Sequence, residues 1–226
     1  MDISHTFMKR GREIKAKSTK RFDAWSGKYD KSVLQTLVFR NSHDMFLSRI
    51  KEAKRVFRIL DIGCGTGEFA IKLKQANRNA EIYGLDISQE MINQARKKTG
   101  MSGGVDFKVG DVEHLPYENG HFDYITCAHS FHHYPNKRKA IREMYRVLKD
   151  NGKAMIIDGC KDGLLGRVIF DVIIKRHEID VHHLHSKQFQ KIMKKVGFEN
   201  IRQTVFNPFI PLLLTQGTAR KRKTQN

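Results

Sequence analysis

The order of elements along the chain predicts an α/β protein, a three-layer sandwich with helices on both faces of a mostly parallel, seven-stranded sheet. Three observations lead there. From about residue 58 onward, short apolar runs alternate with amphipathic helical patterns, and strands joined through helices run parallel. The first apolar run stops abruptly at a cluster of glycines, which marks a buried strand turning into a helix. The last two runs, 199–206 and 209–215, are separated only by Asn207-Pro208. That gap is too short for a crossover helix, so the C-terminal pair forms a hairpin and contributes one antiparallel strand.

Residues 1–57 read as a polar, helical extension in which Val33, Leu37 and Val38, then Met45, Phe46 and Ile50, recur at helical spacing. The first strand is Arg58–Ile62, and residues 68–75 follow as a helix with Phe69, Leu73 and Ala76 on one side. Ala80–Asp86 is the second strand, and Ser88 is the expected N-cap of a helix that buries Met91, Ile92 and Ala95. Val105–Val109 and Phe122–Cys127 are strands three and four. A helix over 137–149 buries Ile141, Met144 and Leu148 and stops at Asn151-Gly152, before strand five at 153–158. Residues 186–196 form another helix, with Phe189, Ile192, Met193 and Val196 on its apolar face. The domain division expected is therefore an N-terminal helical lid over 1–57, a cofactor-binding domain over 58–216 and a basic tail over 217–226.

Composition narrows the function classes. Apolar residues make up 39% of the 226-residue chain and charged residues 29%, the balance of a folded domain. No apolar run approaches the roughly 20 residues that a membrane helix needs, and no secretory leader is seen at the N-terminus, so a cytoplasmic location is expected. The three cysteines, Cys64, Cys127 and Cys160, are odd in number and lack CxxC spacing, which argues against a disulfide framework or a zinc knuckle. The charge is unusual: 42 Lys+Arg against 24 Asp+Glu gives +18. The excess is concentrated in residues 9–21 and in Arg220-Lys221-Arg222-Lys223, ends that can touch nucleic acid or an anionic membrane surface nonspecifically.

Asp61-Ile62-Gly63-Cys64-Gly65-Thr66-Gly67 stands between the first strand and its helix. Glycines there let the backbone turn sharply and approach a ligand, and the helix start beyond them offers free N–H groups. A strand-end acid follows twice: Asp86 after strand two, where a carboxylate can accept both hydroxyls of a ribose, and Asp111 after strand three. A dinucleotide fingerprint would place a third spaced glycine at position 68, which is Glu.

With those residues in place, the chain resembles the class I S-adenosylmethionine methyltransferases, in particular the small-molecule group that includes the ubiquinone/menaquinone-biosynthesis C-methyltransferases. The likeness rests on 60–67, on Gly84-Leu85-Asp86-Ile87-Ser88, on Gly110–Pro116, on Phe122-Asp123 and on Arg146-Val147-Leu148-Lys149 to Gly152. Upstream, Phe22–Asp30 looks like that family's N-terminal segment. The resemblance implies a Rossmann-like fold and S-adenosyl-L-methionine as cofactor. It implies that Gly63, Cys64, Gly65 and Gly67 pass beneath the methionine portion, with Asp61 near its ammonium and Tyr29 at its carboxylate. Asp86 would hold the ribose, Ile87 would lie against the adenine, and Asp111 and Val112 would meet the adenine edge. Cys127 and Ala128 would face the sulfonium.

The acceptor is less constrained. Methyl transfer requires alignment, and a base only where the acceptor must lose a proton. The candidates are His129 and His133 in Ala128-His129-Ser130-Phe131-His132-His133-Tyr134. A second histidine group, His177, His182, His183 and His185, precedes the 186–196 helix. Neither group shows a metal-ligand spacing such as HExxH, and no metal is expected. After strand four the chain lacks the Asn/Asp-Pro-Pro-aromatic run of exocyclic-amine nucleic-acid methylases, so a small-molecule acceptor, aromatic or isoprenoid-like, leads. An RNA or protein methyltransferase and a cofactor-binding protein without transfer activity stay open. The stretch 164–185, whose apolar side chains run from Leu164 to Ile174, is expected to line an acceptor pocket or to form a buried crossover helix.

Overall fold

The computed structural model describes residues 3–29, 33–50, 56–100, 104–174, 181–207 and 210–221. Its elements are α1 (Ile3–Tyr29), α2 (Val33–Arg49), β1 (Phe57–Ile62), α3 (Glu68–Ala76), β2 (Ala80–Asp86), α4 (Gln89–Thr99) and β3 (Val105–Val109). There follow β4 (Phe122–Ala128), α5 (Lys137–Val147), β5 (Leu148–Gly159), α6 (Gly163–Arg167), α7 (Ser186–Val196), β6 (Phe198–Phe206) and β7 (Leu212–Ala219). The seven strands form one sheet in the order β3-β2-β1-β4-β5-β7-β6. β1 to β5 pair in parallel, and β7 runs antiparallel to both β5 and β6. The expected three-layer architecture with its antiparallel C-terminal strand is the one observed.

Side chains alternate across a strand, so a sheet covered on both faces needs apolar residues at consecutive positions. In β5, Ala154 and Ile156 enter one core with Met144 and Val147 of α5 and with Phe189 and Met193 of α7. Met155 and Ile157 enter the opposite core with Phe46 of α2, Leu73 of α3 and Ile92 of α4. Ser88 caps α4 as expected, its hydroxyl accepting from the Met91 N–H at 3.1 Å. Phe46 and Ile50, both buried, give α2 its anchor.

Element boundaries depart furthest from the sequence expectation between α5 and β5 and at the last strand. α5 ends at Val147, because Leu148 is fully buried and already pairs with Phe122; β5 therefore starts at 148, not 153. The last strand runs 212–219, not 209–215, since its register with β5 carries Leu212 opposite Gly159 and Thr218 opposite Lys153. β7 thus passes residue 216, and Arg220 and Lys221 dock beyond it: the Lys221 ammonium reaches the Tyr145 carbonyl at 2.6 Å.

The first part of the 164–185 stretch, over Leu164–Ile174, is not the buried crossover helix expected. It is the short α6 followed by a π-helical turn over Val168–Ile174. Leu164 is 81% exposed, and Leu165, Val168 and Val172 also face solvent, while Phe170 packs down on Gly159. Among the described residues, no helix is long and apolar enough to cross a membrane.

Candidate functional site

At the C-terminal ends of the strands the glycine loop leaves β1 in left-handed conformations, with φ of 68° at Gly63, 53° at Gly65 and 78° at Gly67. The loop is strapped to β2 by Gly63 and Cys64 N–H groups that donate to the Leu85 carbonyl at 2.7 and 3.1 Å. A Cβ on Gly63 would fall 2.3 Å from the Ser130 hydroxyl oxygen, and one on Gly67 would fall 2.7 Å from the Phe107 ring. Gly63 is thus glycine because β4's loop crosses it, and Gly67 because α3 starts against Phe107.

Asp86 fixes the next wall. One carboxylate oxygen accepts from the Gly65 N–H and the other from the Ser88 N–H, each at 2.9 Å. Burial raises the Asp86 pKa above the ordinary carboxylate value, and these backbone donors counter the rise. Asp111, after β3, accepts from the Glu113 N–H at 2.9 Å. Its lowered pKa comes from Lys15 and that N–H outweighing burial.

The roof is α1. The Lys15 ammonium bridges Asp111 at 2.7 Å and Glu113 at 2.8 Å. One helical face further along, the Asp23 carboxylate takes a short hydrogen bond from the Ser88 hydroxyl. Between these ties Ser18 and Phe22 look down on a cleft floored by Gly63, Gly65, Asp86, Ile87, Asp111 and Val112.

The far wall is the β4 loop. Ala128, His129, Ser130, His133 and Tyr134 all line the cleft. The Tyr134 and Ser130 hydroxyls are 2.8 Å apart, and the Cys127 sulfur lies 3.2 Å from that of Ser130. His129 adopts φ 53°, its Nε2 is 2.8 Å from the Ser42 hydroxyl of α2, and Phe39 stacks on its ring at 4.8 Å. Burial pushes His129 down to about 4, so the ring is neutral at physiological pH. His133 meets the Phe22 ring edge-on at 5.1 Å and sits 4.1 Å from the ring of His132.

A second, smaller cleft lies behind the glycine loop, between Phe39 and His43 of α2 and Asp61, Cys64 and Thr66. It shares Gly63, Gly65, Ala128 and His129 with the first. Asp61 is buried and accepts from the Thr126 hydroxyl at 2.8 Å; burial pushes its carboxyl up to about 7. A carboxyl so placed gains from an ammonium brought beside it.

The structure therefore brings Gly63, Gly65, Asp86, Ile87, Asp111, Val112, Ala128, His129 and His133 to the first cleft, and Asp61 and Cys64 to the second. Gly67 and Cys127 line neither. The Cys127 thiol is buried and pushed up to about 12, and burial raises Cys64 and Cys160 as well, so all three thiols are inert. Tyr29 ends α1, and its side chain is outside the described residues, as is His177. Sequence reading missed Lys15, Phe39, His43 and Tyr134. It also missed that His132 and His183 converge on Asp158, which no local spacing signals.

The chain is similar to known methyltransferases in sequence and in fold. The methyltransferase-domain family matches residues 60–156. A demethylmenaquinone methyltransferase of Staphylococcus aureus is 28% identical over 190 residues, which is 82% of this chain and 76% of that protein. A methyltransferase from Thermotoga maritima superposes with a TM-score of 0.71 at 22% identity, over 89% of this chain and 99% of that one. The phosphoethanolamine N-methyltransferase 2 of Haemonchus contortus, solved with S-adenosyl-L-methionine, gives 0.69 at 20% identity, over 80% and 53%.

Proposed function

Because the chain is an S-adenosylmethionine-dependent methyltransferase, we propose that it methylates a small, hydroxylated ring of the quinone class beneath α1. The observation that carries this reading is the roof. Lys15 and Asp23 tie α1 across the cleft mouth, above walls formed by Phe22, His133 and Tyr134. Such a chamber suits a cofactor and a compact ring, whereas a polynucleotide strand needs an open groove. The name of the Staphylococcus aureus relative points to the same acceptor class.

The cofactor, when bound, supplies an activated methyl group on a sulfonium. Asp86 keeps lone pairs that would hold the ribose hydroxyls, Ile87 would flank the adenine, and Asp111 and Val112 would meet its edge. Gly63 and Gly65 permit close backbone approach, with Cys64 packed behind them and Gly67 starting α3. Asp61 offers its undercompensated carboxyl to the ammonium, the strongest fit between this site and that cofactor. Ala128, backed by Cys127, faces the reacting end, and Tyr29 is assigned to the carboxylate end by resemblance alone. His133 accepts the hydroxyl proton that makes a ring carbon nucleophilic, and neutral His129 orients the wall through Ser42. Within the N-terminal extension, α1 acts as the lid over the cleft while α2 is anchored in the core, and the basic ends supply a secondary contact with anionic surfaces.

Tritiated-methyl labelling separates the acceptors. Purified protein is incubated with labelled cofactor and, in parallel, a demethylated quinol, total RNA and total protein. Label in the quinol is the expected result; incorporation into RNA or protein alone would overturn the assignment.

A further inference from the structure

We propose that His132, Asp158 and His183 form a binding site for one divalent transition-metal ion of the zinc type. The three residues come from separate parts of the chain: the turn after β4, the end of β5 and the segment before α7. One ring nitrogen of each histidine and one carboxylate oxygen lie within 4.8 Å of one another, and all three residues are buried. His132 Nδ1 is 2.6 Å from Asp158 Oδ1 and His183 Nδ1 is 3.2 Å from the same oxygen.

His183 supplies the second, independent observation. Its side chain is 4% exposed, and neither ring nitrogen makes a hydrogen bond among the described residues. Nδ1 is near the carboxylate without the angles of a hydrogen bond. A buried imidazole is normally satisfied through at least one nitrogen, because losing water without a replacement is costly. The three side chains converge on one buried centre, with His183 in contact with the carboxylate but without a hydrogen bond at either nitrogen among the described residues.

The surroundings match a metal site. Two imidazoles and one carboxylate suit zinc and its neighbours rather than calcium or magnesium, which favour all-oxygen shells. Outer contacts fix the ligands: the Gly159 N–H donates to Asp158 Oδ1 at 2.8 Å, and the His182 N–H donates to the His132 carbonyl at 3.1 Å. Phe170 covers His183 with ring centroids 4.5 Å apart, excluding water from that side. A bound ion would pin the turn that carries His133 to β5 and to the chain entering α7. Three protein ligands leave the fourth position for a water.

The test uses the full chain, stripped with a chelator and titrated with cobalt(II), whose absorption bands report histidine–carboxylate ligation. One equivalent with tetrahedral bands is expected, together with a rise in Tm on adding zinc. His183→Ala should weaken cobalt binding at least about 100-fold by loss of a ligand. His183→Gln provides a milder variant if the alanine form does not fold. Absence of cobalt bands in the stripped wild-type protein would overturn the proposal. So would unchanged stoichiometry and affinity in the His183 variants, which would assign the metal to other histidines.

Discussion

The two ends of the cleft are built on different logic. At the β1–β3 end, each recognition group stands at a strand terminus or in the loop directly after it: Gly63, Gly65, Asp86, Ile87, Asp111 and Val112. Its polar contacts are largely backbone, as in the Gly65 and Ser88 N–H groups that hold Asp86. At the β4–β5 end the groups meet from afar. Ser42 of α2 reaches His129, Phe22 of α1 packs on His133, and His132 bonds Asp158 across 26 residues. A strand-end site keeps its local pattern whatever surrounds it, while a convergent site exists only once the chain has folded.

The largest expected effect belongs to the first end. Gly63→Ala forces a left-handed backbone onto a residue with a Cβ and drives that carbon to 2.3 Å from the Ser130 hydroxyl. Strain of about 1–3 kcal/mol plus the displaced loop should weaken cofactor binding at least about 100-fold. Calorimetric titration with S-adenosylhomocysteine checks this, and normal affinity would show that the loop lies outside the cofactor site.

Asp86→Ala comes next. Removing a carboxylate that holds two backbone N–H groups and faces the cleft should cost about 1–3 kcal/mol of cofactor affinity, roughly fivefold to 150-fold. The same titration, with circular dichroism to confirm folding, separates lost binding from lost structure.

Asp61 makes the comparison pH-dependent. Its folded value of about 7 lies above the ordinary 3.8, so ionising it destabilises the free protein as pH rises between those two values. Cofactor affinity should move the other way, because an ammonium partner needs the carboxylate. It should strengthen by up to about tenfold per unit from pH 5.5 towards 7 and then level off. Asp61→Asn should flatten that profile.

At the convergent end the expected effects are smaller. Ser42→Ala frees His129 Nε2 and should lower kcat about threefold to tenfold, the scale of one hydrogen bond, with cofactor affinity unchanged. A matching loss in cofactor affinity would mean that α2 serves both ends. Smallest of all, Lys15→Ala removes a partly exposed bridge to Asp111 and Glu113, worth about 1 kcal/mol at most. It should lower Tm by a few degrees and speed proteolytic cleavage within α1.

The sequence by itself determined the sheet, the glycine loop and the two strand-end acids. Each rests on local rules: apolar runs of strand length, glycine where φ must be positive, and a carboxylate where a strand stops. It also specified that α2 buries Phe46 and Ile50, from helical spacing alone. Local rules failed at Leu148, whose burial against β4 overrides the helical pattern before it, and at Leu164, whose apolar neighbours turn outward. Tertiary structure alone decided which histidines share a centre. His132 and His183 are separated by 51 positions (183 − 132) and become neighbours because β5 delivers Asp158 between them. Such a meeting depends on sheet order and loop path, which no spacing within one segment encodes.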